Sequence, residues 1–365
     1  MSSSITVCAY YYPGWHPCPV RDAAFASNWS EWDLVEKCRP RFTGHEQPNL
    51  PLWGRQDESK PHHFAKKIET ARSYGIDAFQ FAFYWSRGKR LLEGALDRGL
   101  IGAPNKNDIE FAVMWANRMP RRVLPVKDPV AQTIDPNRLV HTDPDDFLAF
   151  IKHVARRYFV QENYFRVRGG NYLSIFDTNF FIRQLGEELV VRAIEQAREW
   201  LEVNGFGSLH LAAIDPIDEF RKKLHLLDFD SATNYVLLPE WKGALLQDYL
   251  EMADKRATEW EKLAQGAHVP YFPSVSPGWD ASPRALDYGK EKPKRYPWSP
   301  VVTERSPELF GDHLKQAVRF SRARHEDDAL VFISSWNEWS EGHYLEPDEK
   351  HGDAWLRAVL NARQI

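Results

Sequence analysis

Two glutamates three residues apart follow the last apolar run of the chain. The segment Trp336-Asn337-Glu338-Trp339-Ser340-Glu341-Gly342-His343-Tyr344-Leu345-Glu346-Pro347 continues from Leu330 to Trp336, a stretch with the length and composition of a buried strand. If the chain turns helically after Trp336, positions i and i+3 face the same way and both carboxylates enter one pocket. Glycosidic cleavage needs such a pair: one carboxylic acid protonates the leaving oxygen while a carboxylate assists at the sugar carbon. Proximity also drives their pKa values apart, so that one keeps its proton near neutral pH. An acidic pair at a helix start can do no more than complement the helix dipole. The flanking Trp336 and Trp339 weigh against that plainer role, because large rings are costly in a solvated turn, and Asn337 adds a group able to bond sugar hydroxyls.

The same chemistry is suggested at other strand ends. Aromatic residues make up 13% of the chain and 14 residues are Trp. Many of them fill core space, as aromatics do, but Tyr11-Tyr12, Tyr84-Trp85, Trp115-Ala116-Asn117 and Trp279 recur where a pocket would be, and aromatic faces stack on the apolar face of a sugar. With Trp336, Asn337, Tyr344, Glu346 and His45 they form the expected substrate-facing set around the catalytic candidates Glu338 and Glu341.

The elements that must position these residues are legible as short apolar runs alternating with amphipathic helices, the pattern of a parallel sheet covered by helices. The runs are Ile5 to Tyr12, Ala78 to Trp85, Ile109 to Trp115, Tyr172 to Asp177, Leu209 to Asp215, Phe229 to Val236, Val269 to Val275 and Leu330 to Trp336. Eight strands are what a closed (β/α)8 TIM barrel requires. Phe147, Ile151, Val154 and Tyr158 form one helical stripe and Val190, Ile194, Ala197 and Leu201 another; Phe64 to Tyr74 reads as a helix closed by Gly75. A doubly wound sheet would show Gly-x-Gly-x-x-Gly after an early strand, and none is present. Long aperiodic stretches, Pro13 to Pro61 and Ser276 to Val302, would follow strands one and seven on the C-terminal face where barrel active sites are built. Without a repeat or Gly/Ser linker, residues 1–365 read as one catalytic barrel domain.

Composition sets the remaining bounds. A hydrophobic fraction of 43% with 27% charged residues fits a globular chain, and a net charge of -4 provides no basic field for nucleic acid or an anionic membrane. Neither an N-terminal leader pattern nor an apolar run long enough to span a bilayer is visible, which leads to the expectation of a cytoplasmic location. Cys8, Cys18 and Cys38 form no paired spacing and suggest a reducing compartment rather than disulfides or, with His16 and His45, a zinc site. His62-His63 and His45 read as structural histidines, with His45 also able to donate to a sugar hydroxyl. Carboxylate chemistry requires no cofactor and no metal. The rival is a metal-dependent glycosyltransferase, whose Asp-x-Asp string would be Asp228-Phe229-Asp230, although this lies at the start of a strand, the wrong end of a barrel. A non-catalytic carbohydrate-binding protein would keep the aromatics and need neither glutamate.

The C-terminal run, together with Glu31-Trp32-Asp33-Leu34-Val35 and Pro40-Arg41-Phe42-Thr43-Gly44-His45-Glu46-Gln47-Pro48, resembles the WbsX-type proteins related to glycoside hydrolase family 99, over nearly the whole barrel. That resemblance implies a (β/α)8 barrel and a retaining hydrolase of oligo- or polysaccharide, α-mannoside-like in substrate, working through a 1,2-anhydro sugar. It further implies Glu338 as the base at the 2-hydroxyl and Glu341 as the acid and base serving the leaving group and the water. Ser340 and the stretch after Gly342 are closer to the WbsX branch, so mannose specificity is not carried over. WbsX-type proteins are commonly labelled glycosyltransferases because they occur with surface-polysaccharide genes.

Overall fold

In the computed structural model, which describes residues 5–117, 140, 142–286 and 293–365, each expected run contributes a strand. They are β1 (Thr6–Tyr11), β2 (Ala78–Ser86), β3 (Glu110–Trp115), β4 (Gly170–Ile175), β5 (Leu209–Ile214), β6 (Ser231–Thr233), β7 (Ser274–Val275) and β8 (Leu330–Ile333). All are parallel, and β1 lies between β2 and β8, with Thr6 opposite Leu330 and Cys8 opposite Ala78. The barrel closes between β6 and β7 through a bridge from Ala232 to Tyr271, with Phe272 N–H donating to Ala232 O at 3.0 Å. The protein is therefore a (β/α)8 barrel.

Helices cover the outside: α1 (Pro61–Ser73), α2 (Pro144–Val154), α3 (Thr178–Leu185), α4 (Glu187–Val203), α5 (Tyr249–Ala267), α6 (Pro307–His325) and α7 (Ala354–Arg363). The expected stripes are their buried faces, Phe147, Ile151 and Val154 on α2 and Val190, Ile194, Ala197 and Leu201 on α4. Gly75 ends α1's turn at φ +80°, a conformation that a residue with a Cβ adopts only with strain. Among the described residues no helix is long and apolar enough to cross a membrane.

Period-two alternation divides the strand side chains. Tyr10, Tyr172 and Phe332 stack inside the barrel, beside the bonded pairs Gln80–Ser174 and His210–Ser231. Their odd-numbered neighbours face the helices. Tyr11 packs on Phe64 of α1, and Trp85 and Trp115 pack on Phe150 of α2.

Beyond β8 the chain makes a hairpin, Asn337–Glu338 against His343–Tyr344, joined by a 3-10 turn at Trp339–Glu341. One buried carboxylate pins this hairpin to the barrel wall. Glu346 accepts from Trp336 Nε1 at 2.9 Å and Trp339 Nε1 at 2.7 Å, and pairs with Lys67 of α1. Removing one partner of a buried ion pair leaves the other charge uncompensated. Glu346→Gln is expected to cost about 3–5 kcal/mol of stability, read as a lower guanidinium midpoint at unchanged m-value; a cost within experimental error would show that the Lys67 charge needs no partner.

Candidate active site

The stretches after β1 and β7 fold over the mouth and are joined to each other. Arg41 donates to Ser282 Oγ and to Trp298 O, both at 2.7 Å, and its guanidinium lies 3.7 Å from the Trp298 ring centroid. His45 Nε2 meets Asp280 Oδ2 at 2.8 Å, and Gln47 Nε2 donates to the same oxygen at 2.6 Å. These links hold the short 3-10 turn Ser282–Ala285 over the hairpin.

Arg284 on that turn is the centre of the site. Its Nη2 donates to Glu31 Oε2 at 2.7 Å and to Glu338 Oε1 at 2.9 Å, while Nη1 pairs with Glu341 Oε1 and donates to Tyr296 OH at 3.0 Å. The helical turn expected after Trp336 is the 3-10 turn, and it does bring Glu338 and Glu341 to one place, on one guanidinium. Glu31 has a second cation, Arg21, at 2.9 Å, and both share the Tyr12 hydroxyl. Ser340 Oγ bonds Glu31 and lies 3.1 Å from Glu338 Oε1.

All five ionisable groups are buried, so their charges must balance locally. Three carboxylates face two guanidinium groups; one proton on a carboxylate makes the cluster neutral. Glu338 is placed to hold it. Burial pushes its carboxyl well above the usual range, Arg284 pulls it down, and Glu341 and Glu31 raise it again. For Glu341 burial also acts upward, but Arg284, the bond to His343 and that from Tyr296 outweigh it and hold the carboxyl down to about 2. Tyr296 OH donates to Glu341 Oε1 at 2.6 Å and His343 Nε2 is 3.2 Å from Oε2. The surroundings thus push the two carboxyls in opposite directions, Glu338 upward and Glu341 downward.

Two phenols complete the wall. Burial raises the hydroxyls of Tyr84 and Tyr235, with the Glu338 charge the next contribution for each; Tyr235 also feels Glu341. Tyr235 stands among Tyr10, Phe176 and His343. Both phenols are half-buried.

Much of the expected sugar-facing set has other work. Tyr11 OH donates to buried Glu58 at 2.8 Å, Trp85 Nε1 to Asp146 and Trp115 Nε1 to Trp85 O, each at 3.2 Å. Asn117 bonds the backbone of Asp177, and Asn337 clamps the backbone of Tyr12 through bonds of 2.8 Å in both directions. Tyr344 stacks on Trp339 and donates to Asp348, and Trp336 and Glu346 belong to the Lys67 cluster. His45 uses both ring nitrogens, Nδ1 accepting from Arg41 N–H at 2.9 Å. Each of these side chains thus has a polar partner within the fold. Tyr84, Tyr12 and Trp279 lie beside the glutamate cluster, Tyr12 through its bonds to Glu31 and Arg21 and Trp279 buried and stacked on His343. Arg284, Arg21, Tyr235 and Tyr296 were not singled out by sequence, and Glu31 and His343 entered only within quoted motifs.

Asp228 and Asp230 both pair with Arg198, at 2.8 and 2.7 Å, where β6 begins. Among the described residues no group of His, Cys, Asp and Glu side chains could hold a metal ion.

Residues 7–359 match the family model described as Glycosyltransferase WbsX. Two curated relatives, each named Uncharacterized protein WxcX, from two strains of Xanthomonas campestris pv. campestris, are 32% identical to it across 98% of this chain and 49% of their own. The chain thus spans about half the length of those relatives. Among solved structures, the family 99 endo-alpha-mannosidase from Bacteroides thetaiotaomicron superposes with a TM-score of 0.61 at 15% identity, covering 98% of this chain and 96% of that one. A structure described as a glycoside hydrolase-like protein gives 0.61 at 16% identity, covering 100% and 95%. At such identities the likeness is one of fold.

The charge balance has a direct consequence for Glu31. Its negative charge raises the Glu338 carboxyl, so Glu31→Gln is expected to move the Glu338 titration to lower pH, followed by NMR of labelled glutamate carboxyl carbons. An unchanged titration would show that Glu31 does not set the proton on Glu338.

Proposed function

The chain belongs to the WbsX family, and from that premise we propose that it is a retaining glycoside hydrolase that cleaves an oligo- or polysaccharide with Glu338 and Glu341. One observation carries the reading: two buried carboxylates at the barrel mouth share a guanidinium, with a phenol and an imidazole added beside Glu341 alone, an asymmetry that favours the proton on Glu338. A proton donor paired with an anion is the resource that glycosidic cleavage needs. The site lies at the C-terminal ends of the strands, where barrel enzymes do chemistry. In this reading Glu338 carries the proton delivered to the leaving oxygen, and Glu341 is the anion that assists at the sugar, at its carbon or through the neighbouring 2-hydroxyl. Tyr84 and Tyr235 line the approach.

The family description points to glycosyl transfer instead. A metal-dependent transferase would hold a nucleotide diphosphate on an Asp-x-Asp string; the pairing of Asp228 and Asp230 with Arg198 weighs against that use. A protein that only binds carbohydrate would have no use for the asymmetric pair.

Wild type, Glu338→Gln and Glu341→Gln assayed on α- and β-linked glycosides and polysaccharides, with product configuration followed by NMR, test the reading. Wild type is expected to cleave with retention, and each variant to lose about 10²–10⁴ in kcat/KM. Transfer from a nucleotide sugar without cleavage of any glycoside would replace hydrolysis by transfer. The roles separate on a substrate with a good leaving group, which needs no proton: Glu338→Gln is expected to recover there and Glu341→Gln is not. The reverse pattern would return the donor role to Glu341. A chelator is expected to leave the activity unchanged, and loss of activity would count against cofactor-free chemistry.

A further inference from the structure

The stretch between β6 and α5 presents one large ring to solvent at the mouth. Trp241 is 46% exposed, whereas Trp279, against which it stands edge to face at a centroid distance of 4.8 Å, is only 3% exposed. Trp279 in turn stacks on His343 at 5.3 Å and lies 6.1 Å from the Tyr296 ring. His343 and Tyr296 are the two neutral partners of Glu341. Two routes of rigid side chains therefore fix the position of Trp241 relative to one catalytic candidate. Trp279 has no open face and serves as the pillar between them.

An exposed Trp in an ordinary loop is unsupported and free to turn. Trp241 is held by ring contact, and Leu245 and Leu246 of the same stretch are also exposed. Two ring contacts, with centroid distances of 4.8 and 5.3 Å, link it to His343 beside Glu341. A fixed aromatic face on the same side of the barrel as the carboxylates suits the apolar face of a sugar further along a chain, and aromatic contacts are the part of a site that binds without needing particular hydroxyl groups.

We propose that Trp241 is the platform of an outer sugar subsite, so that the cleft takes an extended oligosaccharide chain rather than a simple glycoside. This rests on the hydrolase reading of the Glu338–Glu341 pair, and it assigns to Trp241 the stacking role that the sequence suggested for Trp279. Trp241 is not among the hydrogen-bond partners of Arg284, Glu338 or Glu341, and its replacement is expected to leave the carboxylate cluster in place.

Calorimetric titration of Glu341→Gln protein, with and without Trp241→Ala, tests it. The probes are homo-oligosaccharides of mannose, glucose, galactose and rhamnose in α and β linkage, from disaccharide to hexasaccharide. Affinity for the recognised series is expected to rise with chain length, and Trp241→Ala to lower it about tenfold for the longer members while leaving the disaccharide unchanged. Trp241→Phe, which keeps a ring, is expected to recover part of the loss. Binding independent of length, or an equal loss at every length, would overturn the platform alone. Binding to no oligosaccharide would overturn the carbohydrate reading and the platform with it. A change of sedimenting mass in Trp241→Ala would also overturn the proposal, since the ring would then belong to an interface between copies of the chain.

Discussion

Everything at the mouth of this barrel depends on the need to balance buried charge around Arg284. Removing a carboxylate from water costs several kcal/mol unless a partner compensates it, and here three carboxylates lie within reach of one guanidinium. Arg21 supplies a second cation at the far side of Glu31. Local neutrality then requires a proton within the cluster, and the geometry decides which carboxyl keeps it. Glu341 has a phenol and an imidazole beside it in addition to the cation, whereas Glu338 has a serine and the cation that it shares with Glu31. Unequal contacts with fixed groups thus favour the proton on Glu338 and the charge on Glu341.

The same constraint explains the shape of the surroundings. Arg284 sits on a short turn with little regular structure to hold it, so the stretch after β1 must do so through Arg41, His45 and Gln47. Asn337, placed between the glutamates and β8, ties the backbone of Tyr12 to the hairpin, and the Trp336–Trp339–Glu346–Lys67 cluster anchors the hairpin to α1. Asn337, Trp336 and Glu346, expected to face sugar, thus also keep the carboxylates in register. Their polar groups need internal partners because they are buried.

The barrel was legible because strands buried on both faces produce continuous apolar runs, and all eight lie where those runs place them. The period of two within those runs also carried information that the grouping of adjacent aromatics passed over. Gln80, Ala82 and Tyr84 share one face of β2, while Phe79, Phe81, Phe83 and Trp85 share the other, which faces the helices. Glu338 and Glu341 were readable because their spacing is local. Arg284 was not, since its partners are 54, 57 and 253 positions away in sequence and it lies in an aperiodic stretch. Tyr296 was hidden for the same reason. Trp241 carried no periodic signal, and its importance rests on exposure, which a sequence does not record.

The adjacency of β1 and β8 has an architectural consequence. Thr6 N–H donates to Ala329 O where both strands begin. α7 returns to the same end, where Arg363 reaches Gly75 and Asp77 ahead of β2, and Arg322 reaches the carbonyl of Ile365. Ile5 and Ile365 therefore both lie at the pole of the barrel opposite the carboxylates. The barrel thus ties its first and last elements to one another at one pole and leaves the other to the stretches that follow β1 and β7.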